Sequence, residues 1–233
     1  MDPGTLPDVW RASELARSRV PAASCGYAVL DRELPNGGWP QSSLTELLLQ
    51  QHGIGELQLL QPMLARLARS QRIALVQPPC IPQAMAARHW DLDPLQLLWL
   101  RPKSSADALW SAEQILKNGS CGALLLWQSN IRTESLRRLH LAAQGSETWF
   151  WLLRPMAAAL EPSPAPLRLG LRPAHGGMVV EVLKRRGPAA DGHLFIQLPH
   201  MPARRPITES DHATAVQPAP TPAAAASPAP LLV

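Results

Sequence analysis

Aromatic residues other than tryptophan are nearly missing from this chain. It has one tyrosine and two phenylalanines against eight tryptophans in 233 residues, a bias for which the sequence offers no physical reason. Cysteine is scarce too. Cys25, Cys80 and Cys121 are far apart, odd in number and without a Cys-x-x-Cys pair, and the histidines are scattered. That argues against a disulfide framework and a structural zinc site, and fits a reducing cytoplasm. Long apolar runs are absent. The longest are strand-sized, well short of the roughly 20 residues that a membrane span needs. Met1-Asp2-Pro3-Gly4 shows no basic stretch ahead of an apolar one, so it reads as no signal peptide. Charge is modest: 17% of residues are charged and the net is +4. Such a balance is compatible with nucleic acid or an acidic partner and compels neither.

What is present is apolar residue content, 46% of the chain, enough for a sizeable core. There are also 25 prolines, many crowded into the last third. Residues 1–24, around Trp10-Arg11-Ala12-Ser13-Glu14-Leu15, read as a short helix or docking arm. Residues 25–200 read as the folded core. Residues 201–233 are Pro/Ala-rich, bury too little apolar surface to order themselves, and read as a disordered tail.

Within the core, residues 25–42 look turn-rich, and strands and helices alternate after them. Strands are expected at 43–49, 72–77, 96–100, 121–127 and 148–153. Helices are expected at 56–70, 82–90, from Ser105 as cap to Gly119 as stop, and at 133–144. Leu60, Met63, Leu64 and Leu67 mark the inner face of the first helix; Leu136, Leu139, His140 and Ala143 mark that of the last. Continuous apolar strands between amphipathic helices imply a mostly parallel sheet covered on both faces, an α/β fold. The pattern then switches to period two. Leu167, Leu169 and Leu171 alternate with Arg168, Gly170 and Arg172, and Met178, Val180 and Val182 follow beyond His175-Gly176-Gly177. This reads as an antiparallel hairpin at the sheet edge, with residues 193–198 able to add a strand.

Residues 44–60 run as an apolar strand, a turn with Gly53 and Gly55, and a helix. That is the layout of a phosphate-binding loop, which places Gly-Lys-Ser/Thr at the helix start. Here Glu56 and Leu57 stand in those places. A unit charge about 4 Å from a phosphate contributes about 4 kcal/mol at an effective dielectric near 20. Reversing its sign swings the interaction by up to roughly 8 kcal/mol, on the order of a micromolar binding free energy. The loop therefore reads as degenerate, at Gly53, Gly55 and Glu56, with no cofactor and no metal expected. Two readings follow: a reshaped loop for a small ligand, or a structural turn with Glu56 near a positive helix N-terminus.

Gly26-Tyr27-Ala28-Val29-Leu30-Asp31-Arg32-Glu33-Leu34-Pro35-Asn36-Gly37-Gly38-Trp39-Pro40 resembles the segment before the phosphate loop of RecA-type recombinases. Leu44-Thr45-Glu46-Leu47 resembles the strand leading into their ATP site, and Lys184-Arg185-Arg186 their basic segment facing a neighbouring protomer. Together with residues 108–119 and Phe150-Trp151-Leu152-Leu153-Arg154-Pro155, the pattern resembles the SulA/ImuA group of RecA-like proteins without a working ATPase. Trp10-Arg11, Gly37-Gly38-Trp39-Pro40 and Lys184-Arg185-Arg186-Gly187 favour the ImuA branch. The resemblance spans about residues 10–198. It implies a non-catalytic, cytoplasmic adaptor in SOS, damage-induced translesion DNA synthesis. Its implied partners are an ImuB-type Y-family-like polymerase protein, RecA and an error-prone replicative-type polymerase complex. The departures from an active recombinase agree. The strand ending at Trp127 carries no carboxylate, Pro78-Pro79 stand where a water-activating glutamate would be, and Arg154-Pro155 where a γ-phosphate-sensing glutamine would be.

The contact candidates are Trp10, Arg11, Arg168, Arg172, Lys184, Arg185, Arg186, Arg204 and Arg205. Arg168 and Arg172 share a strand face and extend the basic patch by the period-two rule. DNA contact through this basic hairpin and self-association are both open. Trp149 and Trp151 share a face and read as core before base-stacking residues; Glu113, Glu134 and Asp107 read as surface charges. The alternatives are a SulA-like inhibitor of cell division and a divergent RecA/RadA-type DNA-binding ATPase.

Overall fold

The computed structural model describes residues 21–82, 87–88, 90–187 and 192–199. Their core is one eight-stranded sheet, order β10-β9-β8-β3-β7-β6-β4-β5. The parallel part comprises β3 (Leu44–Leu49), β4 (Ile73–Val76), β5 (Leu97–Leu100), β6 (Ala123–Trp127), β7 (Trp149–Pro155) and β8 (Leu167–Ala174). β9 (Gly177–Lys184) and β10 (His193–Gln197) continue it antiparallel. The fold class is thus the α/β architecture expected, with the hairpin beside the parallel strands and β10 as the outermost strand.

Two apolar layers sandwich the sheet. Leu47, Leu49, Leu125, Trp151 and Leu169 face helix α2 (Glu56–Leu67), through Leu59, Leu60 and Met63. Leu44, Leu124, Leu126 and Phe150 face helices α3 (Ser105–Asn118) and α4 (Thr133–Gln144), through Ala112, Leu116, Leu136 and Leu139. Burial on both faces is why β4 and β6 are apolar along their length rather than alternating, and β3 is likewise buried throughout. Trp39 meets Trp151 edge-on at 5.9 Å, and Trp149 stacks on Trp151 at 6.5 Å. These three tryptophans are core, as expected for 149 and 151.

Residues 25–42 hold more structure than their turn residues suggest. Helix α1 (Ala28–Glu33) is followed by β2 (Trp39–Pro40), which pairs with β1 (Ala22–Ala23). The paired strand β1 therefore lies inside the stretch assigned to the arm. Asp31 accepts hydrogen bonds from the Cys25 amide and the Ser24 hydroxyl. Burial raises its pKa, but the bonds from Cys25 and Ser24 outweigh it and hold the carboxyl below its usual value. Burial and Asp31 push the Cys25 thiol up to about 12. The segment docks on a proline inside α2. Pro62 has no N–H, which leaves the Gln58 carbonyl without its helical donor. The Tyr27 hydroxyl donates to that carbonyl at 3.0 Å. Gly26, at φ +91°, lies so close that an added Cβ would stand 2.6 Å from Pro62 Cβ. The Gly-x-x-x-Leu-Asp pattern is thereby a docking device: glycine for approach, Leu30 for the core, Asp31 for the turn.

Three local expectations are corrected. The cap of α3 is Ser104, which accepts from the Asp107 amide at 3.1 Å, and Ser105 is the first helical residue. Glu113 is not a surface charge. It is 7% exposed and bound by Lys117 and Arg138, each at 2.8 Å. His140 is half-buried rather than core. Most of the helix expected at 82–90 lies outside the described residues, as does the tail at 201–233.

Candidate functional site

The carboxyl ends of β3, β4, β6 and β7 converge where an open α/β sheet places its ligands. The loop from β3 to α2 is built by Gly53 and Gly55, at φ +78° and +105°. Gly55 caps α2 and is also packed: a Cβ there would meet Leu198 Cδ1 at 2.5 Å. Glu56, the first residue of α2, folds back so that its Oε1 accepts from the Gly53 amide at 2.9 Å. It is 4% exposed. A phosphate loop offers its backbone N–H groups to an anion. Here the chain's own carboxylate takes one of them and stands at the positive end of α2.

The neighbouring strand ends carry amides in place of acids. Gln77, at the end of β4 with φ +52°, donates to the Pro102 carbonyl at 3.1 Å. Its Oε1 accepts from the side-chain amide of Gln128, the residue after β6. Trp127 closes β6 beside them, 5% exposed. Two cavities open here. One, of about 320 Å³, is polar and lies among His52, Gln77, Ser105 and Gln128 to Asn130. The other, of about 220 Å³, is apolar and runs from Glu56 and Leu57 past Leu75 and Trp127 to Cys80 and Ile81. Among the described residues no cluster of His, Cys, Asp and Glu could hold a metal. None of their helices is long and apolar enough to cross a membrane.

A buried ionic cluster was not anticipated. Glu46, in the middle of β3, is fully buried. Its Oε2 accepts from Arg168 Nε at 2.7 Å and its Oε1 from the Ser163 hydroxyl at 2.7 Å. Arg154 Nη1 stands 3.8 Å from Oε1, while its Nη2 reaches Glu161 at 2.6 Å and the Ser129 carbonyl at 3.2 Å. Arg168 also donates to the carbonyls of Ala158 and Ala159. Each buried arginine thus has an acid beside it, Glu46 inside the core and the half-exposed Glu161 at its rim, as a buried charge needs. The signal was available: Glu46 is the one charged residue in a six-residue strand that is buried throughout.

This cluster splits the expected basic patch. Arg168 is a buried core ligand of Glu46, not a contact for a partner. Arg185 also points inward, donating to the Glu33 carbonyl at 2.6 Å and its carboxylate at 2.8 Å. Arg172 is exposed and lies 3.8 Å from Glu181. Lys184 and Arg186 remain exposed, Lys184 donating to the Ser163 carbonyl at 2.9 Å. They lie close enough to α4 to act on His140, whose pKa is lowered first by burial and then by Arg186 and Lys184. Trp10, Arg11, Arg204 and Arg205 lie outside the described residues.

No protein-family model matches the chain, and no curated protein matches it. Among solved structures it is similar to SulA from Pseudomonas aeruginosa, at 24% identity and a TM-score of 0.40, over 48% of this chain and 97% of that one.

Proposed function

We propose that this chain is a non-catalytic, RecA-like accessory protein that acts by binding other proteins in damage-induced translesion DNA synthesis. An ImuB-type polymerase-like protein and RecA are its partners in this reading, within an error-prone polymerase complex. The observation that carries the proposal is the closed loop: Glu56 occupies the Gly53 amide in a loop shaped for phosphate. A triphosphate arriving there meets a carboxylate instead of an ammonium. It also meets Leu57 instead of a hydroxyl for Mg²⁺, and the paired amides of Gln77 and Gln128 instead of carboxylates. With the fuel chemistry replaced and the scaffold intact, the surfaces are what remain to act. The motifs at 26–40, 44–47 and 184–187 support the family reading. The exposed Lys184 and Arg186 beside His140 supply an electropositive corner for an acidic partner or a phosphate backbone.

The test is capture of the two partners by the purified full chain, with calorimetry of Mg-ATP alongside. Both partners, or the polymerase-like one alone, should be retained, and ATP should give no heat at millimolar concentration. Retention of neither by folded protein, or tight ATP binding, removes the proposal.

A further inference from the structure

The polar cleft beside the closed loop is lined by groups of one chemical kind. His52 in the loop, Gln77 at the end of β4, Ser105 at the start of α3, and Gln128, Ser129 and Asn130 after β6 meet around it. Carboxamides and hydroxyls each both donate and accept. Apart from the imidazole, no ionisable side chain lines the space. The side chains of His52, Ser105, Ser129 and Asn130 are exposed. Except for the weak end-of-loop position of His52, they sit on the rims of regular elements. Gln128 is 8% exposed, and its Nε2 donates to Gln77. Its Oε1 accepts from none of the described residues, yet it is not enclosed. It is a fixed acceptor open to the cleft it lines.

The surroundings narrow what such a lining takes. The two helices that start beside the cleft each carry an acid in the first turn, Glu56 in α2 and Asp107 in α3. Those carboxylates offset the positive helix ends, so an anion is not favoured. No carboxylate lines the cleft itself to hold a cation. A flat aromatic ligand finds no open ring to stack on, since Trp127 is 5% exposed. Hydroxyls suit the lining, because each donates and accepts as the water it displaces does. The volume of about 320 Å³ lies at the lower end of the range of small-molecule pockets, about 300–1,000 Å³. We propose that this cleft binds a neutral ring bearing several hydroxyls, a sugar unit. One hydroxyl donates to Gln128 Oε1, and others exchange hydrogen bonds with Asn130, Ser105 and Ser129. The inference concerns the cleft and does not depend on which proteins the chain binds.

The probes are the methyl α-pyranosides of glucose, galactose and mannose, titrated into the full chain by ligand-observed NMR. Cyclohexanol serves as a ring with a single hydroxyl. At least one of the three sugars should bind with a Kd of about 10 mM or below, and at least tenfold more tightly than cyclohexanol. Inorganic phosphate at the same concentration should not displace it. Ser105→Trp, at the exposed rim, should weaken the sugar at least tenfold while the fold, read by circular dichroism, is unchanged. Gln128→Met, similar in length and without the amide, should weaken it at least fivefold. Binding of none of the three sugars, cyclohexanol as tight as the best of them, displacement by phosphate, or indifference to either substitution would each overturn the proposal. Should Gln128→Met not fold, Ser105→Trp and the cyclohexanol comparison decide by themselves.

Discussion

Glu46 and Glu56 belong to one strand–loop–helix unit, and both are buried, yet their surroundings differ. Glu46 has both oxygens engaged, by Arg168 and Ser163, with Arg154 close behind. Glu56 has one oxygen on the Gly53 amide and the other enclosed without a hydrogen-bond partner. The first is held by charges from two other strands. The second is held by backbone three residues away and by the helix end. Glu46 thus joins β3, β7 and β8, and its loss leaves cations in the core. Glu56 closes a loop, and its loss frees one amide. A buried acid with every oxygen paired reads as architecture. One held by a single nearby backbone amide reads as a local closure of the loop.

That contrast can be broken most directly at Glu46. Glu46→Ala should destabilise the protein by about 3–5 kcal/mol, because Arg168 is left buried without its counter-charge. Urea unfolding measures it. Replacing Glu46 and Arg168 together by leucine should recover much of the loss, and a double variant as unstable as the sum would contradict the pairing. Next comes Gly55→Ala. It forces a side chain onto φ +105° and against Leu198, and should cost about 1–3 kcal/mol. Glu56→Gln comes third. Its amide oxygen can still accept from Gly53, so about 0.5–1.5 kcal/mol is expected from the weaker bond. A loss as large as that of Glu46→Ala would erase the distinction between the two acids.

The smallest effect is that of pH on His140. Its folded pKa lies below its ordinary value, through burial and then through Arg186 and Lys184. The unfolded chain therefore takes up a proton at higher pH than the folded one. The stabilising effect of the neutral ring is complete above the unfolded value near 6.5 and is lost as pH falls from there through the folded value. Denaturation between neutral and mildly acidic pH should show that slope. Arg186→Gln with Lys184→Gln should flatten it in part, since burial remains. An unchanged slope would mean the two cations do not act on this ring.

Much of the framework was legible from spacing alone. Residues 133–144 form a helix with those ends, and the strands at β3, β4 and β6 begin and end within two residues of their apolar runs. Residues 25–42 were not legible, because α1 and the β1–β2 pair are too short for a periodic signal and are held by contacts with Pro62 and Asp31. At the site, the missing Lys and hydroxyl were visible in the sequence. The glutamine pair across β4 and β6 was not, nor was the cavity between the loop and Ile81. Arg168 illustrates the limit. Period two places it beside Arg172 on one face, but only the sheet shows that β3 brings Glu46 opposite it.

By itself the sequence determined the alternation of buried strands and amphipathic helices, the hairpin, and the exchange of a lysine and a hydroxyl for Glu56 and Leu57. These are local properties, read over a few residues. Tertiary structure alone decided which charges are free to meet a partner and which are spent inside. Glu46 and Arg168 are 122 residues apart in the chain, and Arg185 and Glu33 are 152 apart. A charge is exposed or paired according to what the fold places beside it, and no local pattern carries that information.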